Sequence, residues 1–150
     1  MEEQDGKPPH REEGVLGMTH SEDMDMEQQV LSSFIEYGVA LCHERAMKSG
    51  WWTDPATGGR KERNVGEALM LIVSEVAEAM EGHRKNRMDD HLPQYTSLTV
   101  ELGDAIIRIF DLAGGLGLPL GQAVADKLAY NATRADHKLE NRVKDGGKSY

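Results

Sequence analysis

The stretch that decides the fold reads Leu69-Met70-Leu71-Ile72-Val73-Ser74-Glu75-Val76-Ala77-Glu78-Ala79-Met80. It has a counterpart in Glu101-Leu102-Gly103-Asp104-Ala105-Ile106-Ile107-Arg108-Ile109-Phe110-Asp111. In each, two acids stand three apart, Glu75 with Glu78 and Glu101 with Asp104, and twenty-two residues separate the two pairs. On a helix that spacing sets two side chains about 60° apart around the axis and ~4.5 Å apart along it, so both point the same way. The apolar residues keep the helical period: Leu69, Ile72, Val73, Val76 and Met80 around the first pair, Leu102, Ile106, Ile109 and Phe110 around the second. Two helices are therefore expected, each bringing two carboxylates into or beside a buried face. Four unpaired anions there repel one another and lose hydration, at a cost of several kcal/mol each. Something positive has to sit between them.

A hard divalent cation answers that need most simply. Mg²⁺, with Mn²⁺ as the alternative, is expected on Glu75, Glu78, Glu101 and Asp104, because no histidine or thiol is spaced to join as a soft ligand. A ferritin-like di-iron bundle would carry Glu-x-x-His on two helices; no Glu-x-x-His occurs in this chain. The plainer alternative is solvated acids on amphipathic helices. It accounts well for one such pair and poorly for two, each set in an apolar run.

The 150 residues make one domain with a sizeable core. The formal charge of -9 is unevenly placed: residues 1–29 hold nine acids against two bases, and 127–150 hold six bases against three acids. A near-neutral body with a basic end argues against a surface for nucleic acid polymers, yet leaves room for a small polyanion such as a nucleotide. Cys42 is the only cysteine, which excludes a disulfide framework and a thiolate metal site. No apolar run reaches the roughly 18 residues of a membrane span, and the N-terminus is too acidic for a signal peptide. A cytoplasmic chain without a membrane partner is expected.

Residues 1–25 read as an acidic flexible tail, 26–140 as the functional domain and 141–150 as a basic tail. Within the domain the punctuation predicts helices over about 26–49, 64–84, 96–113 and 119–137. Gly50, the Pro93 break, the glycines at 114, 115 and 117, and Pro119 separate them. The fold class expected is all-α, an antiparallel four-helix bundle-like domain. With so few large aromatics, its apolar faces are expected to be completed by homo-oligomerisation, as a homodimer or homotetramer.

On the last helix Lys127, Asn131 and Arg134 fall at i, i+4 and i+7, one polar stripe suited to phosphate oxygens and to a base or sugar. Its bland counterpart is a solvated face with Asp126 or Asp136 paired nearby. Trp51 and Trp52 stand adjacent in a turn-rich segment; one is placed to stack on a nucleobase and the other to pack on the end of the helices. Gly58-Gly59-Arg60-Lys61 lacks the GxxxxGK[ST] spacing of a phosphate-cradling loop and reads instead as a flap. Of the acids, Glu75 or Glu78 is the candidate to take a proton from water. Glu81 lies one turn beyond Glu78 and reads as exposed rather than as a spare ligand. The six histidines show no ligand spacing.

The paired acids, their 22-residue gap, Gly50-Trp51-Trp52, Arg63-Asn64 and Lys127-x-x-Tyr130-Asn131-x-x-Arg134 together resemble the MazG-like nucleoside triphosphate pyrophosphohydrolases. These belong to the all-α NTP pyrophosphatase superfamily, and the fragments look like its short, phage-type branch. The resemblance covers about residues 28–140. It implies cleavage between the α and β phosphates to a nucleoside monophosphate and pyrophosphate, with Mg²⁺ on the four acids, and a role in shaping the nucleotide pool. A purine such as dGTP is the first substrate expected, with dUTP or dCTP next. Many members carry a further glutamate directly before the first motif glutamate, where this chain has Ser74; that departure shifts the expected base to Glu75. The rival reading is a non-catalytic helical module, binding nucleotide or a second copy, whose acids make salt bridges. It predicts basic partners facing Glu75 and Asp104.

Overall fold

The computed structural model describes residues 25–143. Of the expected tails over 1–25 and 141–150, residues 1–24 and 144–150 lie outside the described residues; Asp25 caps α1, and Asn141 and Arg142 belong to the short α5. The described chain is all-helical: α1 (Met26–Lys48), α2 (Val65–Arg84), α3 (Ser97–Leu116), α4 (Leu120–Thr133), a 3₁₀ turn (Ala135–His137) and a short α5 (Leu139–Arg142). The first three helices open where local chemistry supplies a cap, and α4 opens at Pro119 without one. Asp25 and Gln28 exchange side-chain and backbone hydrogen bonds as a capping box on α1. Asn64 Oδ1 accepts from the amides of Gly66 and Glu67 on α2, and Thr96 Oγ1 accepts from Thr99 on α3.

Two boundaries differ from expectation. Helix α3 does not stop at 113: it runs through Gly114 and Gly115 and ends at Gly117, whose φ of 65° supplies the left-handed cap. The two inner glycines serve close approach instead. A Cβ on Gly114 would sit 2.6 Å from His43 Cβ, and one on Gly115 would overlap the Trp52 ring at 2.0 Å. Helix α4 stops at Thr133 rather than 137. Arg134 is the C-cap and turns the following chain to extended backbone (ψ 126°), while its guanidinium stays with Lys127 over the Tyr130 ring, at 5.9 and 4.9 Å.

Helix α3 lies between α1 and α2, and α4 packs on the outer side of α1. The 85–96 connection turns the chain so that α3 runs back along α2. Its reversal is fixed by Asn86 at φ 49°, by Asp89 accepting from the amides of His91 and Leu92, and by the Met88–Thr96 bridge.

The buried positions correct the reading of the apolar stripes. On α2 they are Ala68, Glu75, Ala79 and Gly82; on α3, Ser97, Ala105, Asp111, Leu112 and Ala113. Where α2 meets α3, the core is thus mainly a seam of small residues. The large side chains expected to line it (Leu69, Val73, Val76, Met80, Leu102, Ile106) stay about half exposed or more, as do Val30, Phe34 and Tyr37 on α1. Small residues allow helix axes to approach closely: at Gly82 an added Cβ would lie 2.4 Å from Ser97 Oγ. That close seam is what brings the acids of α2 and α3 within reach of one another.

Candidate metal centre and adjoining cavity

Glu75 shares its stripe on α2 with Ala68, Ala79 and Gly82, so it points into the small-residue seam and is buried. Glu78, nearly one turn on, sits at the edge of the seam, and Glu101 reaches in from α3. Carboxylate oxygens of Glu75, Glu78 and Glu101 lie within 4.8 Å of one another, close enough to share a cation. Three of the four expected acids therefore converge. Asp104, one turn beyond Glu101, is not part of that close group but feels it electrostatically.

The crowding is written in the protonation equilibria. Burial, then the charges of Glu78 and Glu75, push the Glu101 carboxyl above its ordinary value of 4.5. Burial and Glu75 likewise push Asp104 up from 3.8, with Arg108 pulling the other way. This is what an excess of negative charge short of counterions does.

One counterion does come from the chain itself. Arg108 Nε donates to Glu75 Oε1 at 2.6 Å, from the next turn of α3 beyond Asp104. Reading the acids as a set without a basic partner missed it. The signal was present in the sequence: Arg108 is i+4 from Asp104 and i+7 from Glu101, hence on the same face.

Beside the acids opens a cavity of about 710 Å³ between α1, α2, α3 and the 51–63 segment. Asp104 and Arg108 form the wall shared with the acid group. Arg45, Arg63, Ser49 and Asp111 add polar groups, and Leu41, Leu71 and Ile107 the apolar surface. The two tryptophans divide their work. Trp51 is 66% exposed and lines the cavity, while Trp52 is 3% exposed and serves as an anchor.

That anchor turns on Asp111, which sequence reasoning did not single out. Its Oδ1 accepts from Trp52 Nε1 (2.8 Å) and meets His43 Nδ1 (2.9 Å), and its Oδ2 accepts from Arg63 Nη1 (3.1 Å). Arg63 also lies over the Trp52 ring at 5.1 Å, and His43 meets that ring edge-on. Partners 48, 59 and 68 residues away leave no local signal to read. The Gly58-Gly59-Arg60-Lys61 stretch is tied down in the same region. Asp54 and Gly59 pair through their backbones, Lys61 donates to the Trp52 carbonyl, and Arg60 reaches the Gly115 carbonyl. Cys42, half buried on the cavity wall, has its thiol pushed up by burial and by Asp111.

The remaining expected residues lie elsewhere. None of Lys127, Asn131 and Arg134 lines the cavity. Lys127 Nζ sits over the Tyr130 ring at 4.9 Å, and Arg134 pairs with Asp136. Asn131 Oδ1 is a buried acceptor without a hydrogen-bond partner. Glu81 pairs with Arg84 and Lys85 on its own helix.

No family model, curated protein or solved structure matches this chain. None of the described helices is long and apolar enough to cross a membrane.

Proposed function

We propose that the chain is a metal-dependent (deoxy)nucleoside triphosphate pyrophosphohydrolase of the MazG-like kind, converting a dNTP and water to a dNMP and pyrophosphate. The observation that carries this reading is the convergence of Glu75, Glu78 and Glu101 from two helices, next to a nucleotide-sized cavity whose wall holds Asp104 and the Glu75 partner Arg108. The donor set fits the ion. It offers only carboxylate oxygens, which suit Mg²⁺ or Mn²⁺, and the raised Glu101 and Asp104 mark negative charge that Arg108 alone leaves uncompensated. Glu75, Glu78, Glu101 and Asp104 are the residues that would hold one or more ions. Such an ion would supply charge neutralisation for phosphoryl oxygens and acidify the attacking water.

The chain's own groups supply the rest. Trp51 offers an aromatic face to a base at the cavity edge, and Arg45 and Arg63 offer forks for phosphate oxygens. Glu75 or Glu78 is the acceptor for the proton of the attacking water. Asn131, Lys127 and Arg134 would contribute substrate contacts from a copy or conformation that brings α4 to the cavity. In the same reading the helices form a bundle-like unit whose exposed apolar faces are covered by a second copy. A purine such as dGTP is the first substrate to try, then dUTP and dCTP.

A screen of all common NTPs and dNTPs with Mg²⁺ and Mn²⁺, resolving pyrophosphate from single phosphates, tests the proposal. Pyrophosphate release that disappears in Glu78→Gln is expected; full activity in that variant, or no turnover of any nucleotide, overturns it. One observation favours a second reading, a helical nucleotide-binding or dimer-interaction module without catalysis. Arg108 already faces Glu75, as a structural ion pair would. That reading predicts no pyrophosphate and no shift in melting temperature with Mg²⁺.

A further inference from the structure

We propose that Arg108 is a parked phosphate ligand. Its guanidinium occupies the place on Glu75 that a divalent ion would take, and loading of the site would free it to hold the triphosphate in the adjoining cavity. The inference rests on the reading of Glu75, Glu78 and Glu101 as a metal-binding group, and it adds a residue and a coupling that reading does not contain.

Three features of Arg108 carry it. Its contact with Glu75 is short, 2.6 Å, and single-pronged, through Nε alone. The Glu75 side chain is 9% exposed and cannot turn to water for compensation, whereas Arg108 is 41% exposed and can leave at low cost. Arg108 also lines the cavity, together with Trp51, Arg45 and Arg63, so its own turn of α3 borders both the acids and the space beside them. A guanidinium and a divalent ion on one carboxylate repel each other, so the two compete for Glu75. Once displaced, the unused edge of the fork matches a phosphate group. Metal and nucleotide binding are thereby linked: the ion releases the group that the nucleotide needs.

Isothermal titration of the full chain with Mn²⁺, free of nucleotide, separates this role from that of a brace that merely holds the Glu75 rotamer. The wild type is expected to take up Mn²⁺ at a site that Glu78→Gln lacks. Arg108→Met is expected to bind Mn²⁺ roughly tenfold tighter, because no resident cation has to be displaced. With Mn²⁺ saturating, the same variant is expected to bind a non-hydrolysable dNTP analogue about tenfold or more weakly. Arg108→Gln, a milder change at a half-exposed position, should shift both affinities in the same directions if Arg108→Met fails to fold. Mn²⁺ affinity unchanged or weakened in both variants overturns the proposal while leaving the metal centre standing. Equal, negligible Mn²⁺ uptake by the wild type and Glu78→Gln removes the metal centre itself, and this inference with it.

Discussion

Glu101 and Asp104 give the folded chain a dependence on pH whose sign follows from their neighbours. Both carboxyls are raised in the folded state, so the fold binds more protons than the unfolded chain over the range where they titrate. The stabilisation tied to them is complete below their ordinary values of 4.5 and 3.8 and is lost as pH rises through the raised folded ones. Glu101→Gln, which removes one charge without changing shape, is expected to raise the metal-free melting temperature at neutral pH by roughly 2–5 °C. It should also erase any rise on adding Mg²⁺; calorimetry with and without the ion checks both effects. The paired tryptophans are expected to part just as clearly. Trp52→Ala deletes a buried ring together with its hydrogen bond to Asp111 and its contact with Arg63, at a cost of about 3–5 kcal/mol in denaturant unfolding. Trp51→Ala should leave stability within about 0.5 kcal/mol of wild type, as exposed positions do, and raise KM for the nucleotide.

At the scale of the helices, the contact of α2 with α3 rests on side chains that are nearly absent. Gly82→Ala would place a Cβ 2.4 Å from Ser97 Oγ, and the helices must part to admit it. A loss of about 1–3 kcal/mol is expected, with weaker Mn²⁺ binding because Glu75 and Glu101 separate. Adding Ser97→Gly should restore both, as read by melting and by titration. The same seam explains what could be read in the chain and what could not. Caps at Asn64 and Thr96, the stop at Gly117 and the start at Pro119 depend on neighbours in sequence, so the four long helices were legible to within a few residues. The spacing of Glu75, Glu78 and Glu101 was legible for the same reason. Which face of each helix turns inward was not, because hydrophobic periodicity assigns the large residues to the core. Here Ala68, Ala79, Gly82 and Ala105 occupy it instead. The Asp111 hub depends on residues brought together only by the tertiary fold.

For the whole molecule, the telling quantity is how much apolar surface one chain leaves open. Val39, Trp52 and Leu112 are the only larger apolar side chains buried among the described residues, and Met80 and Phe34 are 65% and 73% exposed. At about 25 cal/mol per Å² of apolar surface removed from water, covering such faces is a strong drive to associate. Light scattering is expected to give a mass of two or four chains, with a melting temperature that rises with protein concentration. Val73→Glu combined with Ile106→Glu should return the protein to a monomer of lower stability. A wild type that stays monomeric at high concentration would show that these faces are left to water.

The arrangement around Asp111 also equips the protein with two distinguishable optical reporters. Trp52, sealed beneath Arg63 and against α3, should emit at short wavelength and resist iodide quenching until the chain unfolds. Trp51, open at the cavity rim, should emit to the red, be quenched readily, and dim or shift as a nucleotide enters. With a nucleotide in the cavity as proposed, one fluorescence spectrum would record occupancy and unfolding as separate signals, without any attached dye.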